Sequence, residues 1–296
     1  MKLPQFSGDI PISKIPNWDK NRLLYRTCPV CESNDYETVC IRPDDLLVAK
    51  CKICKMIYLP KIPSEEDMTI FYNQFSSFYG ITPSKKSLLG KLLYKNPHIL
   101  ILERSGGLKG KKLLEVGSSY GNFLFEAKKA GAEVYAVELD EKAIAYLKQN
   151  NIKCFTEIPE NINFDIVCAF HLIEHLNSPK EFIKNVAKIL NFKGRLLIST
   201  PNAGEVEKVG PSWIGFRLSL EHFNYFSVST LSKLLVEKDL YTEFFWEYNQ
   251  PPVWEIVNEK GLKRFFDIPR HILMRLMPVP FPTRGTFHLT VLARKY

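Results

Sequence analysis

The chain has 296 residues, 45% of them hydrophobic and 24% charged, an ordinary soluble composition with enough length for a core and roughly two domains. No run approaches the roughly 20 apolar residues that cross a bilayer, and the opening MKLPQFSGDIPISKIP lacks the apolar centre of a secretory signal, so a cytoplasmic location is expected. The net charge of +8 suits nucleic acid, an anionic membrane face, a phosphorylated substrate or simple solubility, and does not choose among them.

Residues 1 to 26 are Pro-punctuated and irregular. The next stretch carries Cys28-x-x-Cys31, nineteen intervening residues and Cys51-x-x-Cys54, between β-prone runs at Tyr36–Ile41 and Leu46–Lys50. Seven cysteines, an odd number, in a chain without a signal argue for metal rather than a disulfide framework. Four thiolates on two tight turns make the closed tetrahedral shell of structural zinc, and such a shell leaves no open position for catalysis. Zinc there replaces a core in a segment too small to build one. A redox role for either pair is the weaker rival, and Cys40 is left as a strand residue. Residues 64 to 105 read as largely helical, started by a Ser64 cap and broken at Gly80–Pro83.

From Lys111 a strand–helix alternation begins. Strands are predicted at Lys112–Val116, Glu133–Glu138, Ile152–Phe155, Asp165–Phe170 and Arg195–Ser199, with helices at Glu141–Asn150 and Pro179–Leu190. This order predicts a parallel sheet with helices on both faces. After Pro201 come a long loop, a Ser-capped helix at Ser229–Asp239, a strand at Tyr241–Tyr248, a Pro- and Arg-rich insert and a last strand at Thr286–Arg294.

The first strand runs into Glu115-Val-Gly117, a turn through Ser118, Ser119 and Tyr120, and Gly121 at the start of a helix. Glycines there permit a tight turn and close approach of a ligand to the backbone. The motif alone is weak, because dinucleotide enzymes use the same device. The acidic Glu115, suited to a ligand ammonium and hostile to phosphate, shifts the balance. The second strand ends in Glu138, where a carboxylate can grip two ribose hydroxyls.

Together EVGSSYG, VYAVELD, FDIVCAFHLIEHLNSP and GRLLISTPN resemble the class I S-adenosylmethionine-dependent methyltransferases, especially the small-molecule and sugar branch. The CPVC and CKIC pairs followed by MIYLPKIPSEEDMTIFY resemble the zinc-binding leader of bacterial enzymes of that type. The resemblance implies an α/β fold, a Rossmann-like seven-stranded methyltransferase sheet behind a small zinc-ribbon-like module, with the last strand antiparallel beside the fifth. It implies S-adenosylmethionine held by Glu115, Gly117, Ser118, Ser119 and Gly121 at its methionine part and by Glu138 and Leu139 at its ribose, with Phe170 and His171 lining the pocket. Ser119 stands where the family usually has its middle glycine. The implied layout is a zinc module at 1–62, a helical linker at 63–105 and a methyltransferase domain at 106–296 with a lid insert at about 250–285.

Methyl transfer from a sulfonium is an in-line displacement, so the protein supplies orientation and, where needed, a base. His175, in HLIEH at the end of the fourth strand, is one candidate base. The other is His222 in SLEHFNYFS, with Glu221 as its orienter and Tyr225 lining the same pocket, and this string resembles a segment of sugar C-methyltransferases. His222 is expected to face the transferred methyl from the lid, just after a flexible, glycine-bearing loop, Gly204 to Phe216, with His175 across the cavity.

The insert LKRFFDIPRHILMRLM, residues 262–277, reads as a lid helix, with peripheral membrane contact as the rival. The expected acceptor is a small molecule, a sugar or glycan precursor methylated at oxygen or carbon. An RNA methyltransferase is disfavoured by Asp35, Glu37, Asp44 and Asp45 in the ribbon. A non-enzymatic zinc-ribbon interaction protein is disfavoured by the intact Glu115, Gly117, Gly121 and Glu138 set. The sequence does not predict an oligomeric state.

Overall fold

The computed structural model describes residues 16, 18–73, 75, 81, 83, 96–213, 215–248 and 287–296. The N-terminal module holds β1 (Leu24–Tyr25), β2 (Tyr36–Ile41), β3 (Leu47–Cys51), β4 (Ile57–Tyr58) and β5 (Lys61–Ile62), and α1 (Glu65–Asn73) follows it. Ser64 caps α1 by accepting from the amide of Asp67 at 3.1 Å. Helix α2 (Pro97–Arg104) leads into the alternating part: β6 (Lys112–Val116), α3 (Asn122–Lys129), β7 (Glu133–Val137), α4 (Glu141–Gln149), β8 (Lys153–Phe155), β9 (Phe164–Phe170), α5 (Pro179–Ile189) and β10 (Leu190–Pro201). Then follow β11 (Asn224–Tyr225), α6 (Val228–Val236), β12 (Leu240–Tyr248) and β13 (His288–Lys295).

Among the described residues, seven strands form the main sheet in the order β12-β13-β10-β9-β6-β7-β8. The five from β10 to β8 run parallel, and β13 lies antiparallel between β10 and β12. This is the expected α/β methyltransferase sheet, including the reversed last strand beside the fifth. Strands such as β6, buried at four of five positions, read as continuous apolar runs because helices cover both faces. On one face lie α2, α3 and α4, through Leu102, Phe123, Leu124, Ala127 and Leu147. On the other lie α5 and α6; Phe182, Ile183, Val186 and Ile189 make the inward stripe of α5, whose start is set by Pro179 and a Ser178 cap.

The structure moves several predicted boundaries. β10 begins at Leu190, because the chain leaves α5 directly into the strand and Leu190 already pairs with Phe164. α6 is capped by Ser227, through a reciprocal capping box with Thr230, so it starts before the predicted Ser229. The stretch from Gly204 to Phe216, expected as a flexible loop, is built from short helical turns, and it buries Trp213 and Phe216 against Phe223 and Tyr225. The lid insert at 250–285 and the basic segment at 262–277 lie outside the described residues. Within the described residues no helix is long and apolar enough to cross a membrane.

The module is joined to the sheet domain in two ways. Its own sheet has the order β11-β4-β3-β2, so its fourth strand is supplied by Asn224–Tyr225 from far along the chain. Its buried Cys28, Ala49, Cys51, Cys54, Met56 and Tyr58 belong to the same hydrophobic cluster as Phe182, Ile183, Leu231 and Leu234.

Candidate functional site

β6 lies between β7 and β9 and runs parallel to both, so their carboxyl ends stand side by side, the place where open parallel sheets take ligands. Gly117 and Gly121 flank the turn after β6 with φ of +74° and +70°, so both glycines are favoured by conformation. Ser119 adopts φ +47° between them, which a non-glycine residue does at a cost. The cost is offset by Glu138. Its Oε2 accepts from the Ser119 amide at 2.6 Å, and its Oε1 accepts from the amides of Leu139 and Asp140 at 2.8 and 2.9 Å. One carboxylate thereby ties the loop after β6 to the loop after β7. Asp140 caps α4 through the amide of Ala143 at 3.0 Å.

Glu115 is 5% exposed and lies in register between Ala136 and Cys168. Its Oε2 and the buried Oγ of Ser118 have no hydrogen-bond partner. Burial, with the charge of Glu138 behind it, pushes the Glu115 carboxyl well above the usual carboxylate range. A buried acid with an unmet oxygen beside a backbone cradle fits a ligand that brings a cation and hydrogen-bond donors.

The end of β9 carries the histidines. His171 sits at φ +50°, its amide donating to Ser199 O at 2.7 Å, while Phe170 stacks on His98 with centroids 4.2 Å apart. Burial, then the charges of His171 and His288, lowers His98 to about 3. Glu174, wholly buried, is the hub. Its Oε1 meets His171 Nδ1 at 3.2 Å and its Oε2 accepts from Thr200 Oγ1 at 2.9 Å. Burial works against its charge, but the hydrogen bond and positive potential of His171, followed by His175 and His222, outweigh it and hold Glu174 at about 2.

His175 and His222 stack edge to face, centroids 4.6 Å apart. Ligating atoms of Glu174, His175 and His222 all lie within 4.8 Å of one another, and the three residues are buried. The Nδ1 of His175 donates to the carbonyl of Glu221 at 3.2 Å. Burial, then His175, depresses His222 well below the ordinary histidine value, and its Nδ1 has no partner.

One expected relationship differs. Glu221 does not orient His222: its Oε2 and the His222 Nδ1 are both unpartnered, and Glu174 is the carboxylate grouped with the ring. Neighbouring residues in an irregular segment send their side chains in different directions, so adjacency in sequence does not make a pair. Tyr225 is buried with its hydroxyl engaged by Arg42 at 2.7 Å and donating to His222 O at 3.1 Å. Glu174 escaped the sequence reading as an orienter. The signal was present, since HLIEH packs two histidines and an acid into one strand end.

The Sγ atoms of Cys28, Cys31, Cys51 and Cys54 lie within 4.8 Å of one another, with Cys28–Cys54 at 3.4 Å and Cys31–Cys51 at 3.5 Å. A tetrahedron with arms of about 2.3 Å has edges of about 3.8 Å, so the four sulfurs fit one zinc ion. Each pair closes a turn in which the amide after the second cysteine returns to the first, Glu32 to Cys28 at 2.9 Å and Lys55 to Cys51 at 3.0 Å, with Glu32 and Lys55 at φ +61° and +68°. Cys40 is a buried β2 residue.

Residues 94–242 match the methyltransferase domain family. The chain is 30% identical over 167 residues to the mitochondrial ubiquinone biosynthesis O-methyltransferase of Dictyostelium discoideum, covering 55% of this chain and 49% of that protein. It is 29% identical over 135 residues to the ubiquinone biosynthesis O-methyltransferase of Idiomarina loihiensis, covering 41% and 53%. The chain thus spans about half the length of the curated relatives it matches. In fold it is similar to a magnesium protoporphyrin IX methyltransferase from Synechocystis PCC 6803 solved with bound SAH, with a TM-score of 0.51 at 13% identity, covering 79% of this chain and all of that one.

Proposed function

The chain belongs to the methyltransferase domain family, and we propose that it transfers the methyl group of S-adenosylmethionine to a small-molecule acceptor. The observation that carries this reading is the Glu138–Ser119 lock beside the unmet oxygen of Glu115. Glu115, Gly117, Ser118, Ser119 and Gly121 would hold the methionine part, Glu138 and Leu139 the ribose, and Phe170 and His171 the adjoining wall. When bound, the cofactor supplies an electrophilic methyl on a sulfonium. The chain's own residues do the rest. Glu115 offers a carboxylate to the ligand's ammonium, and the depressed His222 stays unprotonated at neutral pH, able to take a proton at Nδ1 from an acceptor hydroxyl. Glu174 and His175 set the potential around that ring.

The acceptor we propose is a sugar or glycan precursor, on the likeness of the cysteine module and of SLEHFNYFS to sugar methyltransferases. A second reading is supported by the relatives' names: O-methylation of the kind used in ubiquinone biosynthesis. Methylation at oxygen in either case needs a base for a hydroxyl, and methylation at carbon needs one for a carbon-bound proton. Residues 1–62 are proposed as a structural zinc module, on the Cys28, Cys31, Cys51 and Cys54 cluster. Calorimetry with S-adenosylmethionine tests the first claim, and no heat of binding ends it. Labelled-methyl transfer to panels of sugar nucleotides, hydroxylated aromatics and RNA tests the acceptor. Label on RNA alone would overturn the small-molecule reading.

A further inference from the structure

Arg42 follows β2 in the cysteine module and is 2% exposed. A guanidinium has five N–H donors, and here each has an acceptor. Nε donates to Asp44 Oδ1 at 3.1 Å. Nη1 donates to the carbonyl of His222 at 2.6 Å and to the hydroxyl of Tyr225 at 2.7 Å. Nη2 donates to Asp44 Oδ2 and to the carbonyl of Leu220 at 2.5 Å. Three of the five acceptors therefore belong to one short stretch, Leu220–Tyr225, the stretch that bears His222.

A buried ion pair is a poor way to stabilise a fold, since apolar residues of the same volume serve as well or better. A planar fork does what an apolar side chain cannot: it fixes several oxygens in one geometry. The far side of the same stretch is fixed too. The Phe223 amide donates to Glu174 O at 2.8 Å, and Asn224 Nδ2 donates to Ile173 O at 3.1 Å and Leu176 O at 2.7 Å. A second module arginine, Arg26, reaches Phe223 O at 2.8 Å and Asn177 O at 3.1 Å. The His222 stretch is thus held between the module and the turn that carries Glu174 and His175.

We infer that the cysteine module is a working part of the acceptor site, and that Arg42 is the positioning residue through which it places His222. The inference rests on the proposed acceptor role of the 220–225 stretch. Arg42 touches no reacting atom in this scheme; it acts through the backbone of Leu220 and His222 and the hydroxyl of Tyr225.

Amide hydrogen exchange on the full chain tests this without any acceptor in hand. Arg42→Lys keeps the charge beside Asp44 but offers three donors in place of five. In this variant and in Arg42→Gln, exchange at His222, Phe223 and Tyr225 should rise by roughly tenfold or more. Exchange in β9 and in the 117–121 turn should stay as in the wild type, and affinity for S-adenosylmethionine should hold within about twofold. The ring-nitrogen shifts of His222 in isotope-labelled protein should move while those of His98 and His288 stay. If the Arg42 variants do not fold, Asp44→Asn should give the same local pattern with a smaller amplitude. Unchanged exchange at 220–225, or an equal rise through β9, would overturn the inference. A wild-type chain that binds no S-adenosylmethionine would sink the methyltransferase reading instead, and the exchange result would stand on its own.

Discussion

The backbone amide of Ser119 donates to Oε2 of Glu138 at 2.6 Å, so the acid at the end of β7 holds the strained residue of the turn after β6. A carboxylate has acceptor room for about four partners, and three are taken by backbone amides. The same oxygens that would meet a ribose also keep the cradle in shape. Glu138→Ala should weaken S-adenosylmethionine binding by about 1.5–3 kcal/mol through lost charge-assisted hydrogen bonds. Calorimetry on folded variant protein checks it, and wild-type affinity would leave Glu138 with a structural role in the two loops and none in binding.

Glu115 should show a trade between stability and binding. Its folded pKa is raised by burial and by Glu138. A raised acid contributes stability that is fully present below the unfolded value and lost as pH rises through the folded value. Glu115→Gln should abolish that loss and leave the free chain more stable at neutral pH, because the amide has no charge to bury. It should also cost about tenfold or more in S-adenosylmethionine affinity. Thermal melts at acid and neutral pH, paired with calorimetry, decide it. A variant less stable at neutral pH would contradict the argument.

The histidine cluster gives a pH signature of the opposite sign. His98 at about 3, His288 at about 4 and His222 well below the ordinary value are all depressed, with burial the first cause. The stability they contribute is present above the unfolded value of 6.5 and is lost as pH falls towards their folded values. Chemical denaturation should show a midpoint falling from about pH 6.5 downward. Replacing His98 and His288 together with apolar residues should flatten that fall, and an unaltered slope would refute the assignment.

His222→Ala should lower turnover by about 10²–10⁴-fold while leaving cofactor affinity nearly intact. Because Glu174 rather than Glu221 is grouped with the imidazoles, Glu174→Gln should cost more turnover than Glu221→Gln. The reverse ranking in a labelled-methyl assay would restore the neighbour in sequence as the orienter.

Metal analysis of protein purified without chelator should find about one zinc per chain. Cys51→Ala should lose it, because Cys51 lies 3.5 Å from Cys31 across the cluster and has no substitute ligand among the described cysteines. Zinc retained at full content in that variant would place the metal elsewhere.

Much of this architecture was legible in local pattern. The apolar run ending in Glu115-Val-Gly117, the acid of Glu138 at the next strand end and the paired C-x-x-C turns are short-range signals, and each depends on residues close in the chain. They led to the sheet, the loops at its carboxyl end and the sulfur cluster. Boundaries such as Leu190 and the Ser227 cap shifted by a few residues, because pairing with Phe164 and the Thr230 side chain decided them. What only the tertiary structure decided is the acceptor side. Residues 224–225 complete the module's sheet, Arg42 spends its fork on carbonyls some 180 residues away, and Glu174 gathers histidines from separate segments. No periodicity encodes these, since they depend on the direction of side chains in irregular backbone and on register between distant strands, and both are set by the packing of the whole chain.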